Sequence, residues 1–260
     1  MKFFDTHAHV YDKAFDNDRE SMMEAVWKVC DYVVCPAEDL ESSRKAVDIA
    51  EQYPHLYAAV GIHPQLSEKA TDEELETISQ LAKTHPKVVA IGEIGLDYYY
   101  LYSPVDTQKI WFAKQIEMAK SLDLPIIIHD RDAHADTLQI LKDHASPKLR
   151  GIMHCYSTSA EMAAEFIKLG FYISFAGPVV FPKSTHLKEA AKSVPMDRIL
   201  IETDSPYLTP PPFRGRRNDP TKVYYVAEEI ARLKGLPVET VIAQTRANAL
   251  SIYQLKESTV

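Results

Sequence analysis

The chain has 260 residues, 46% of them hydrophobic, and a formal net charge of -8. That length fits two ordinary domains or one α/β barrel, and the apolar fraction supports a large core. The charge argues against a broad electrostatic footprint on nucleic acid, although clustered carboxylates that hold metals also count toward it. The mean hydropathy is -0.23, and no apolar stretch approaches the roughly 20 residues that cross a bilayer. Cys30, Cys35 and Cys155 form neither a paired framework nor a zinc-finger spacing, and Asp5 follows the start too closely for a secretory leader. The expectation is a cytoplasmic protein.

In chain order, the first apolar run predicts a strand over Phe3–Val10, carrying His7 and His9 in Phe4-Asp5-Thr6-His7-Ala8-His9. Side chains two apart on a strand share a face, so both imidazoles can reach one metal ion. Helical spacing follows over Ser21–Val29, a strand at Tyr32–Cys35 and a helix over Glu41–Gln52. Tyr57–Ile62 is strand-like and leads into His63. Thr71-Asp72-Glu73-Glu74 is a capping box opening a helix over Asp72–Lys83. Val88–Glu93 predicts the next strand, and Asp106 is placed to cap a helix over Thr107–Ser121. The alternation continues with strands at Pro125–His129, Arg150–His154, Tyr172–Phe175 and Ile199–Thr203. Between them lie helices over Ala133–Lys142, Ala160–Leu169 and His186–Ser193. The proline-rich stretch Ser205–Pro220 forbids a regular helix or central strand, and helices over Thr221–Leu233 and Val238–Tyr253 close the chain.

Eight β/α repeats in this length read as a TIM-type (β/α)8 barrel, a single α/β domain over residues 1–260. A doubly wound open sheet is the structural alternative, but it usually carries a Gly-rich loop after its first strand. Here Asp5-Thr6-His7-Ala8-His9 stands in that place. Parallel strands of a barrel end on one face, so polar residues at their C-terminal tips share a cavity. Period-two reasoning points His7 and His9 inward together, Glu93 with Ile91, His129 with Ile127, His154 with Ile152, and Asp204 above Glu202. By the same rule Cys155 faces the helices as a packing thiol.

Four imidazoles and two carboxylates suit a pair of divalent ions, with Glu93 the one central carboxylate able to bridge them. Asp204 can bind a metal while accepting the proton of a nucleophilic water. A metal-free network of this size would need every buried group paired. Glu202, deeper in the barrel, reads as a hydrogen-bonding support. His55, His85, His134, His144 and His186 fall in helices or flanking turns and read as surface residues. His63 is read as a phosphate or leaving-group contact, and Arg131 as either an anion contact or a partner of Asp130 or Asp132. Tyr98, Tyr99, Tyr100 and Tyr102 are candidates to stack on bases or to pack at the rim. Arg214, Arg216 and Arg217 form the strongest basic cluster, suited to phosphate oxygens or to plain solvation.

These motifs, with Gly61-Ile62-His63-Pro64, Gly92-Glu93-Ile94-Gly95-Leu96-Asp97, His129-Asp130-Arg131-Asp132-Ala133, His154-Cys155-Tyr156-Ser157 and Glu202-Thr203-Asp204-Ser205-Pro206, resemble those of the TatD family in order along nearly the whole chain. The resemblance implies a metal-dependent hydrolase with a TIM barrel of the amidohydrolase type, in a family with many members described as deoxyribonucleases. It implies one metal held by His7, His9, Glu93 and Asp204, and another by Glu93, His129 and His154. Thr158 and Gln65 depart from the family's usual small residue and second His. The expected activity is phosphodiester hydrolysis of DNA, single-stranded or at strand ends and exonuclease-like, using two divalent ions such as Zn, Mg or Mn. His63, Arg131, Arg214 and Arg216 are the expected substrate contacts. The rival activity is an amidohydrolase or esterase acting on a small carbonyl or aminoacyl substrate; a metal-binding protein without catalysis is a third class. No membrane and no obligate protein partner are expected.

Overall fold

A computed structural model describes residues 2–257. Eight strands, β1 (Phe3–Asp5), β2 (Cys30–Pro36), β3 (Leu56–Val60), β4 (Val88–Asp97), β5 (Ile126–Arg131), β6 (Gly151–Met153), β7 (Tyr172–Phe175) and β8 (Ile199–Ile201), lie in one sheet in sequence order. Every neighbouring pair from β1 to β8 is parallel. The ring closes just beyond the strands, where Thr6 N donates to Ile201 O (3.3 Å), Asp204 N to His7 O (2.9 Å) and His9 N to Ser205 O (2.8 Å). The protein is therefore a TIM-type barrel, and the segments bearing His7, His9 and Asp204 complete it.

Outside the strands run α1 (Arg19–Val29), α2 (Leu40–Gln52), α3 (Asp72–Thr84), α4 (Val105–Leu122), α5 (His134–Asp143), α6 (Ala160–Lys168), α7 (Thr185–Ser193), α8 (Val223–Lys234) and α9 (Val238–Ile252). The Thr71 capping box at α3 forms as predicted. At α4 the expectation fails: Pro104 takes the cap position and Asp106 sits inside the first turn, where its charge still opposes the helix dipole. Among the described residues no helix is long and apolar enough to cross a membrane.

Two apolar layers follow from strand alternation. Phe4, Tyr32, Val34, Ile127, Ile152 and Leu200 pack together, with Tyr253 at the end of α9 joining them. Residues of the other parity, such as Val33, Ile128, Met153 and Ile201, pack with the helices. Each large side chain fully buried this way contributes roughly 1.5–3 kcal/mol. The apolar floor beneath the strand tips keeps the polar groups above it fixed and short of water.

Candidate metal centre

β1 ends at Asp5, whose carboxylate accepts from Thr203 Oγ1 (2.6 Å), Thr203 N (3.0 Å) and His7 N (3.2 Å). These bonds tie the strand-end segments after β1 and β8 together. Burial pushes the Asp5 carboxyl up to about 8, against the pull of those hydrogen bonds. Above it, His7 and His9 face the same point, with their Nε2 atoms 3.2 Å apart. Glu93 Oε1 lies 3.3 Å from His7 Nε2 and 3.2 Å from His9 Nε2, and Asp204 Oδ1 lies 3.6 and 3.5 Å from the same two atoms. Donors around a tetrahedral zinc at about 2.0–2.2 Å stand about 3.3–3.6 Å apart. These five separations among His7, His9, Glu93 and Asp204 fit that spacing, and His7, His9 and Asp204 have ligand atoms close enough to share one cation. His7 Nδ1 is buried with no hydrogen-bond partner among the described residues, so polar contacts hold that ring only from its Nε2 side.

The other oxygen of Glu93 faces two more imidazoles. Oε2 lies 3.3 Å from His154 Nε2 and 3.8 Å from His129 Nδ1. Each ring is oriented from behind by a carboxylate: His154 Nδ1 meets Glu202 Oε1 at 3.0 Å, and His129 Nε2 meets Asp97 Oδ2 at 3.1 Å. Such partners fix which ring nitrogen faces the centre. Glu202 is itself held by Ser174 Oγ (2.6 Å) and Cys155 N (2.6 Å), so its supporting role matches the sequence reading. Asp97 is a residue that reading left without a role. It accepts from the backbone N–H groups of Tyr99 and Tyr100 and from Gln65 Nε2. Gln65, the departure from the family pattern, thereby supports His129 through Asp97. Gly95 makes the close packing possible: its φ is +136°, and a Cβ there would stand 2.0 Å from His129 O.

Electrostatics follow the geometry. Burial alone would raise Glu93, but the imidazoles of His7 and His154 hold it well below the usual carboxylate range. Asp204 is likewise lowered against burial by the hydrogen bond from His9 and by nearby His154. His63 is buried beside His129, and burial drives its pKa down to about 3, so the ring is neutral. Its Nδ1 accepts from Gln65 N, which leaves Nε2 carrying the proton. Three sets of side chains have ligand atoms close enough to share a metal ion: His7, His9 and Asp204; His7, His154 and Glu202; and His63, Glu93 and His129. His63 thus stands within reach of the centre as well as of a substrate.

A cavity of about 700 Å³ opens above these groups. His63 and Arg131 line it, but Arg214 and Arg216 do not. Arg131 lies over the rings of Tyr99 and Tyr100, at 4.1 and 4.8 Å, instead of pairing with Asp130 or Asp132. Arg214 lies over Phe181, and Arg216 lines a separate hollow with Phe213, Tyr224 and Tyr225. Arg217 is tied to Asp18 on both nitrogens. Tyr98 is also engaged, donating to Asp136.

Two further expectations are corrected. Cys155 lines the cavity instead of facing the helices, because its φ of +42° breaks the extended alternation after His154. Ile91 packs with the helix layer although Glu93 faces the centre; the β4–β5 ladder loses register between Ile91 and Ile94. The five histidines read as surface residues all keep some exposure: His186 is exposed and the other four are half-buried, His134 against Asp130. Glu38, beyond the end of β2, also lines the cavity. No motif marked it in the sequence.

The family described as TatD related DNase matches residues 4–254. A Bacillus subtilis protein named an uncharacterized metal-dependent hydrolase, YabD, is 46% identical, with the match covering 97% of this chain and 99% of that one. An Escherichia coli K12 protein of the same description, YcfH, is 35% identical over 99% and 98% of the two chains. The crystal structure of YjjV, a TatD homologue from Escherichia coli K12, superposes with a TM-score of 0.92 at 30% identity, covering 98% of each chain. With these likenesses running end to end over a barrel whose strand tips gather imidazoles and carboxylates, the chain belongs to the TatD family of metal-dependent hydrolases.

Proposed function

We propose that the barrel is a two-metal phosphodiesterase acting on DNA, single-stranded or at strand ends in the manner of an exonuclease. The observation that carries this reading is Glu93, whose two carboxylate oxygens face separate groups of imidazoles. His7, His9, Glu93 Oε1 and Asp204 would hold one divalent ion, and Glu93 Oε2, His129 and His154 the other. Bound there, zinc, magnesium or manganese would acidify a water molecule and neutralise charge developing on the attacked group.

The protein's own residues supply the rest. Asp204, held ionised by His9 and His154 despite its burial, accepts the proton of the attacking water. Neutral His63 offers an Nε2–H hydrogen bond to a phosphate oxygen or the leaving oxygen. Arg131 brings fixed positive charge to the cavity without spending it on a carboxylate. A cavity of this shape accepts a chain terminus more readily than the middle of a duplex. The free thiols of all three cysteines fit a reducing cytoplasm.

Glu38 favours a second reading. Its carboxylate shares the cavity with Glu93 and Asp204, repels a phosphate and would pair with an ammonium group, as on an aminoacyl ester. The two readings separate in one experiment. Protein stripped of metal is offered single-stranded DNA, duplex DNA and an aminoacyl ester with each metal restored in turn. Metal-dependent release of nucleotides from single strands supports the phosphodiesterase; turnover of the ester alone overturns it.

A further inference from the structure

The tyrosine loop after β4 is not consumed by the metal chemistry. Tyr99, Tyr100 and Tyr102 are 58%, 43% and 64% exposed, unusual for three aromatic side chains within four residues. The loop beneath them is nevertheless pinned. Asp97 caps the N–H groups of Tyr99 and Tyr100, and Gln108 holds the carbonyls of Asp97 and Ser103. Ser103 Oγ in turn bonds Gln65 O and receives Glu68 N. The exposed rings therefore sit on a fixed frame that also orients His129 through Asp97.

The rings are arranged in rungs. The Arg131 guanidinium lies 4.8 Å from the Tyr100 ring centre, and Tyr100 stacks on Tyr102 at 5.3 Å with an interplanar angle of 22°. Tyr100, Tyr102 and Arg131 all line the metal cavity. Among the described residues no ring other than Tyr100 lies against Tyr102. A guanidinium–ring–ring ladder ending in an open aromatic face at the mouth of a hydrolytic cavity has room for one more planar group.

We infer that Tyr100 and Tyr102, backed by Arg131, are a stacking platform for the unpaired base of a strand end whose scissile phosphate enters the cavity. The inference rests on the phosphodiesterase reading and adds a specificity device to it. Stacking recognises any base, because every base offers a π-face, but it requires that base to be unpaired. Single strands and frayed ends are therefore the preferred substrates, and blunt duplex ends pay the cost of opening a pair.

The test is binding of labelled oligodeoxynucleotides that end either in a normal nucleotide or in an abasic sugar, placed at the 3′ end in one set and the 5′ end in another. Affinities are measured under chelation and, with phosphorothioate-protected ends, in manganese. Wild-type protein should prefer the base-bearing strand about tenfold at one of the two ends, within the range of a single base–aromatic stack. Tyr102→Ala and Tyr100→Ala should bring that ratio toward one, and Tyr102→Phe should keep it. A terminal 2-aminopurine should be quenched by wild type and by Tyr102→Phe but not by Tyr102→Ala. A ratio within twofold at both ends in both conditions, or one that survives the double alanine variant, overturns the platform. Should the protein hydrolyse no phosphodiester yet keep the tenfold ratio, the reaction assignment falls and the platform stands; hydrolysis with a ratio of one does the reverse.

Discussion

The two oxygens of Glu93 face unequal surroundings. On the Oε1 side, the Nε2 atoms of His7 and His9 and Asp204 Oδ1 stand 3.2–3.6 Å from their neighbours, and both imidazoles are buried. On the Oε2 side the imidazoles of His154 and His129 approach at 3.3 and 3.8 Å, with His63 near enough to share an ion, and the His129 side chain is 18% exposed to the cavity. A close-set, buried group of donors suits an ion held in place, whereas a looser, partly exposed one leaves room for water or substrate. The difference teaches that, under the proposed two-metal reading, the two sides would have separate tasks: the more enclosed Oε1 side would anchor an ion and the more open Oε2 side would exchange ligands.

Removing the shared oxygens should do most damage. In Glu93→Ala, metal content measured by elemental analysis should fall from two equivalents to below one, with turnover at background. Retention of both ions would end its role as bridge. Asp204→Asn separates anchoring from proton transfer. Its kcat should drop about 10²- to 10⁴-fold, the scale of a lost general base, while circular dichroism and the Oε2-side ion remain. Full activity would remove Asp204 from the mechanism. Smaller effects come from the carboxylates behind the rings. Glu202→Gln and Asp97→Asn should each weaken the Oε2-side ion about 10- to 100-fold and leave the Oε1-side affinity unchanged. Equal weakening on both sides would show that the two halves of the centre are not independent.

The sharpness of the sequence reading tracks this same division. His7 and His9 were legible because two residues on an extended backbone must share a face, and His129, His154 and Asp204 stand at strand tips that any parallel barrel brings together. Asp97 escaped because the expected strand stops at Glu93, whereas β4 runs on through Gly95 to Asp97. Glycines interrupt the apolar run, and a bulged register hides the continuation. Cys155 was misplaced because period-two reasoning presumes an extended chain, and a φ of +42° ends it. Arg131 and the tyrosines are legible as separate candidates, but their stacking on one another, and the approach of Glu38, depend on side chains meeting in space. No local pattern encodes such meetings.

The most direct test of the central claim is a metal titration of the stripped protein, followed by calorimetry and by release of nucleotides from single-stranded DNA in the same samples. The account predicts two binding events, the tighter one abolished by His9→Ala and the weaker one by His129→Ala, with hydrolysis appearing only as the second equivalent fills. A single event that supports full hydrolysis, or two events of equal affinity lost together in either variant, would contradict it.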